Sequence, residues 1–98
     1  MHLEQCREKI DAIDAKILEL LNRRAGLSRR VGRIKAGAGL PIIDLRREDI
    51  ILRRAVRNSA GEISPDSVER IYGEILAESR RIQLTIEAET VRNAEVHG

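Results

Sequence analysis

The stretch "LLNRRAGLSRRVGRIK", residues 20–35, sets six Arg or Lys side chains among sixteen positions, yet Leu20, Leu27, Val31 and Ile34 keep a three-four apolar spacing through it. The same series calls for an apolar residue at position 24 and meets Arg24. Lys35 lies eleven residues further on, ~20° away in helical rotation, so both cations project from nearly one face toward whatever the stripe packs on. Two cations fixed on one face can grip an anion bearing two acid groups. Arg23, Arg29, Arg30 and Arg33 point elsewhere or ambiguously and are assigned to a solvated charged face.

Polar residues interrupt two other apolar patterns. The series Ile75, Ser79, Ile82, Gln83, Ile86 carries a hydroxyl and an amide one turn apart, and Asp44, Arg47 and Glu48 form an i, i+3, i+4 set. Taken singly, each has a bland explanation: a seam arginine snorkels, a helical serine is small packing, Asp44 only caps. Taken together they describe polar groups that must find partners in one another or in a ligand. Two cations, an amide, a hydroxyl and a carboxylate suit a small dianion that also bears a hydroxyl. The set holds no activated Ser or Cys, no inward His and no metal-ligand cluster, so hydrolysis by a nucleophile or a metal is poorly supported, and binding and electrostatic catalysis remain.

These groups need helices to carry them. Apolar or small residues at 3, 6, 10, 13, 17, 20, 27, 31 and 34 predict one long helix from Leu3 to Ile34. "AGAGLP", residues 36–41, is read as a connector; it lacks the Lys-Ser/Thr of a phosphate-cradling loop. Asp44 caps a short second helix that ends near "NSAGE", and "SPDS", residues 64–67, opens a third that is expected to reach about residue 90. No repeat and no alternating strand pattern is present, so the fold class is all-α, a three-helix chain in the order long, short, long. A helix of ~30 residues is ~45 Å long, more than the short second helix can cover, and a partner chain is the natural cover.

At 98 residues the chain is expected to be a single domain, 1–98, with 89–98 a flexible or unmatched tail. Phe and Trp are absent and Tyr72 is the one aromatic residue, which removes base stacking as a mode of nucleic-acid binding. Eighteen basic residues stand against sixteen acidic ones, a net charge of +2, so any anion preference must be local. Cys6 is alone, and His2 and His97 sit at opposite ends. A reduced, cytoplasmic setting is expected, and no membrane span or apolar leader is seen.

Three segments in order, "REKIDAIDAKILELLNRRAGLSRRVGRIK", "PIIDLRREDIIL" and "ILAESRRIQ", resemble the all-helical class of chorismate mutases over roughly residues 3 to 88. That resemblance implies an intertwined helical homodimer with shared active sites. Its reaction would be the cofactor-free Claisen rearrangement of chorismate to prephenate, on the route to Phe and Tyr. It also implies roles. Arg24 and Ser79 would hold the ring carboxylate, while Lys35 and Arg7 would hold the enolpyruvyl carboxylate. Lys35 and Gln83 would donate to the ether oxygen as the C–O bond breaks. Glu48, with the backbone near Asp44, would bind the ring hydroxyl, and Arg47 would support Glu48. Arg7 lies seventeen residues from Arg24, ~25 Å along the same helix, so it would have to serve the partner chain's site.

Two rivals stand beside this reading. Isochorismate-pyruvate lyase shares the fold and substrate type and would be favoured by loss of the Asp44/Glu48 pair, which is present. A helical interaction or nucleic-acid-binding module would lay the basic run on phosphates; the seam position of Arg24 and the sixteen acids count against it.

Overall fold

The computed structural model of the chain describes residues 2–97. Three helices follow in order, α1 (Leu3–Ala38), α2 (Leu45–Asn58) and α3 (Pro65–His97), with no strand among the described residues. The all-α, long-short-long arrangement is the expected one, with two boundaries displaced.

α1 continues four residues past Ile34 to Ala38, through the first half of the segment expected to be a connector. It stops where Gly39 takes a left-handed conformation, φ 68° and ψ 25°. The Leu40 N–H then reaches back to the Lys35 carbonyl at 2.8 Å and the Gly39 N–H to the Ala36 carbonyl at 3.4 Å. This Schellman closure satisfies the last carbonyls, and glycine meets no steric penalty at that φ. α3 likewise runs beyond residue 90 to His97 rather than giving way to a tail. "ETVRNAEV" contains neither Gly nor Pro to end it. Gly98, the last residue of the expected tail, lies outside the described residues.

The starts of α2 and α3 follow the local chemistry. The Asp44 carboxylate accepts the Arg47 N–H at 3.0 Å, and the Ser64 hydroxyl oxygen accepts the Ser67 N–H at 3.2 Å, with Pro65 at the first helical position.

α3 packs on both other helices, and α1 and α2 do not pack on each other. The buried apolar side chains are few: Ile42 in the connector and Val68, Leu76, Ile82 and Ile86 on α3. On α1 the face turned to α3 is made of small residues. Ser28 and Gly32 are buried, with Ala25 and Ala36 half-buried on either side. A Cβ on Gly32 would stand 3.1 Å from the Gln83 Cα, so a side chain there would push the two backbones apart by a few tenths of an ångström. The apolar stripe of α1 is left uncovered: Leu3, Ile10, Ile13, Ile17, Leu20, Leu27, Val31 and Ile34 are all exposed.

The consequence is an extended body of 64 × 27 × 14 Å with a radius of gyration of 17.6 Å, where a compact chain of this length would have ~13 Å. Its accessible surface is 7903 Å², about 2,200 Å² more than the ~5,700 Å² expected for a folded monomer of this mass. Among the described residues no helix is long and apolar enough to cross a membrane.

Candidate active site

One cavity, of about 280 Å³, draws lining from all three helices and the connector. α1 supplies Arg24, Ser28 one turn on and Lys35 two turns beyond that, and Ile42 and Asp44 come from the connector. α2 supplies Arg47 and Glu48 from its first turn, and α3 contributes Ser79, Arg80 and Gln83. Leu27, Val31, Ile51 and Leu76 complete the wall with apolar surface. Of the residues singled out from the sequence, Arg24, Lys35, Asp44, Arg47, Glu48, Ser79 and Gln83 therefore meet in one place. Arg7 does not: it is exposed near the start of α1 and paired with Glu4 at 3.0 Å.

The local geometry orders the donors. Ser79 Oγ accepts from Arg24 Nη1 and from the Ser28 hydroxyl, the latter at 3.0 Å. With both lone pairs engaged, the Ser79 hydroxyl hydrogen is left to donate to a ligand. Ser28, at 8% exposure, is the most withdrawn polar side chain of the site. Lys35 Nζ donates to the Ile42 carbonyl at 3.2 Å, which ties α1 to the connector and leaves two of the ammonium hydrogens free. Arg24, Lys35, Glu48, Ser79 and Gln83 are each half-buried, a setting in which charge-assisted hydrogen bonds are stronger than at an open surface.

Glu48 is gripped by Arg80, not by the neighbouring Arg47. Arg80 Nη2 donates to Oε1 at 2.5 Å and Nε to Oε2 at 3.2 Å. The reason is angular: Arg47 is one residue before Glu48, ~100° around the helix, whereas α3 presents Arg80 directly across the α2–α3 contact. Hydrogen bonding to Glu48, and then its charge, hold the Arg80 guanidinium above its ordinary pKa. Arg47 contributes its backbone N–H to the Asp44 cap.

Arg80 and Ser28 were missed in the sequence. The signal for Arg80 was available: it lies four residues after Leu76 and three before Gln83, on the stripe 76-80-83, but the isoleucines drew attention to 75-79-82-86. Ser28 follows an apolar neighbour and precedes two arginines, with nothing to mark it inward. Chemically, the assembled site can hold two acid groups and a hydroxyl, and can place N–H donors against an oxygen that becomes negative.

The chorismate mutase type II family matches residues 6–84, and the chain belongs to that family. It is 39% identical over 79 residues to the bifunctional chorismate mutase/prephenate dehydratase of Aquifex aeolicus, covering 76% of this chain and 22% of that protein. It is 29% identical over 82 residues to the 4-amino-4-deoxychorismate mutase of Streptomyces venezuelae, covering 83% of this chain and 80% of the relative. Among solved structures it superposes on a chorismate mutase from Helicobacter pylori in complex with prephenate. That match has a TM-score of 0.79 at 29% identity and covers 89% of this chain and 94% of the other. The chain spans about a fifth of the length of the first curated relatives it matches.

Proposed function

We propose that the chain binds chorismate and rearranges it to prephenate, as one chorismate mutase domain serving Phe and Tyr biosynthesis. The observation that carries this reading is the convergence of Arg24 and Lys35 from α1, Glu48 from α2, and Ser79 and Gln83 from α3 on a single cavity. The family match and the prephenate bound by the Helicobacter relative support the substrate.

The rearrangement is intramolecular, so the protein has to hold a reactive conformer and stabilise charge as the ether C–O bond breaks. Arg24 and the free Ser79 hydroxyl hydrogen hold the ring carboxylate. Lys35 holds the enolpyruvyl carboxylate and, with Gln83, donates to the ether oxygen as it gains charge. Glu48, beside the Asp44 cap, accepts from the ring hydroxyl. No covalent intermediate and no cofactor enters these steps.

The chain works as an intertwined homodimer, and Arg7 reaches the enolpyruvyl carboxylate of the partner's site. The uncovered α1 stripe and the surplus surface support this, being on the scale of an obligate interface. Its single cysteine is suited to the reducing cytoplasm.

The test is an absorbance assay for chorismate loss with the product identified. Loss of chorismate with formation of prephenate is expected. Pyruvate released from isochorismate would point to the lyase reading, and no reaction with either would overturn both.

A further inference from the structure

Glu48, the acceptor proposed for the ring hydroxyl, has both oxygens engaged by Arg80 before any ligand is present. Each carboxylate oxygen keeps a second lone-pair direction, so the pair leaves Glu48 able to accept a hydrogen bond while its charge is matched. The two side chains are 35% and 20% exposed, withdrawn enough for their charges to act on a neighbour in the cavity and not only on solvent.

The fixed charges at this corner of the lining are Asp44, Arg47 and Glu48 at the start of α2 and Arg80 on α3, two of each sign; α1 adds Arg24 and Lys35 to the same lining. A hydroxyl needs only an acceptor there. A protonated amine in its place needs net negative charge, finds the corner balanced, and is set against the Arg80 guanidinium. Remove that guanidinium and the corner carries one uncompensated carboxylate, which is an ammonium site.

We infer that Arg80 determines substrate specificity: by neutralising Glu48 it makes the site select a ring hydroxyl over a ring ammonium. This rests on the reading of Glu48 as the group that faces the substituted ring carbon. Discrimination of this kind works by penalising the competitor more than by improving the fit of the preferred substrate.

The experiment compares the full chain with its Arg80→Gln and Arg80→Lys variants, using chorismate and its 4-amino-4-deoxy analogue as substrates. The quantity read is the ratio of kcat/KM for the hydroxyl substrate to that for the amino substrate. Arg80→Gln lowers activity with chorismate and shifts the ratio toward the amine by roughly tenfold or more, the scale of one screened charge at contact distance. Arg80→Lys, which keeps the charge on a shorter, single-point donor, retains most of the wild-type preference. A merely structural arginine would lower both substrates together. An unmoved ratio in Arg80→Gln, or an equal shift in Arg80→Lys, overturns the inference.

If the wild type rearranges neither compound, the proposed reaction fails, and the same ratio is taken from calorimetric dissociation constants of the two ligands. A binding ratio indifferent to Arg80→Gln then overturns the role of Arg80 independently.

Discussion

Lys35 and Arg29 are six residues apart on one helix, equal in charge and opposite in surroundings. Lys35 is half-buried, bonded to the Ile42 carbonyl and part of the cavity lining, while Arg29 is exposed. A donor held against an oxygen that becomes negative acts more on the transition state than on the bound substrate. Lys35→Ala should therefore lower kcat by roughly 10²-fold or more, with Arg29→Ala nearly silent in the same assay. Comparable losses would mean that the basic run acts as a diffuse field. Gln83 offers a sharper test, because its amide donates at any pH whereas a carboxyl donates only while protonated. With an ordinary Glu pKa of ~4.3, somewhat raised by burial, Gln83→Glu should confine activity to acid and lose it as pH rises through that pKa. Paired pH–rate profiles decide it, and superimposable curves would remove Gln83 from the breaking bond.

At the scale of elements, the site depends on how closely α1 and α3 approach. Gly32 sits at that crossing, with a would-be Cβ 3.1 Å from the Gln83 Cα, whereas nothing lies within 4 Å of a Cβ built on Gly26, two turns earlier. Glycine to alanine inside a helix ordinarily stabilises by about 0.5–1 kcal/mol. Gly26→Ala should show that gain in chemical denaturation at fixed protein concentration. Gly32→Ala should show the opposite sign, with overpacking costing about 1–3 kcal/mol against the same propensity gain. It should also lower activity, since the residue it displaces is Gln83. If both variants stabilise equally, the helices are not in the close contact described.

For the molecule as a whole, an apolar core that among the described residues consists of Ile42, Val68, Leu76, Ile82 and Ile86 does not account for a stable fold of 98 residues. In the proposed dimer the exposed α1 stripe would be the missing half of that core, matched by the same stripe of a second copy. Sedimentation should return a dimer, and a stable active monomer would remove the shared site. If Arg7 serves the opposite site, mixing inactive Arg7→Ala and Lys35→Ala proteins and letting chains exchange should restore activity. In each mixed dimer one of the two sites is wholly wild type. Exchange without recovery would place Arg7 and Lys35 in the same site, or leave Arg7 with no catalytic part.

The helices, their order and their starting caps were legible in the sequence because they are set by near neighbours: Asp44 and Ser64 accept hydrogen bonds from three residues on, and Pro65 fits only a first turn. Some of the polar residues that line the cavity were legible for a related reason, though Ser28 and Arg80 were not. Arg24, Ser79 and Gln83 break apolar periodicities, and a broken periodicity records a buried polar demand without showing what meets it. What meets it was decided by the tertiary structure, through contacts between residues 32, 51 and 55 positions apart: Arg80 on Glu48, Ser28 on Ser79, Arg24 on Ser79. The face on which α1 packs was decided there too. Its apolar stripe marked the helix's largest apolar surface, but within one chain the small residues Ser28 and Gly32 turn to α3. Close backbone approach needs the absence of side chains, and a hydrophobic pattern has no mark for an absence.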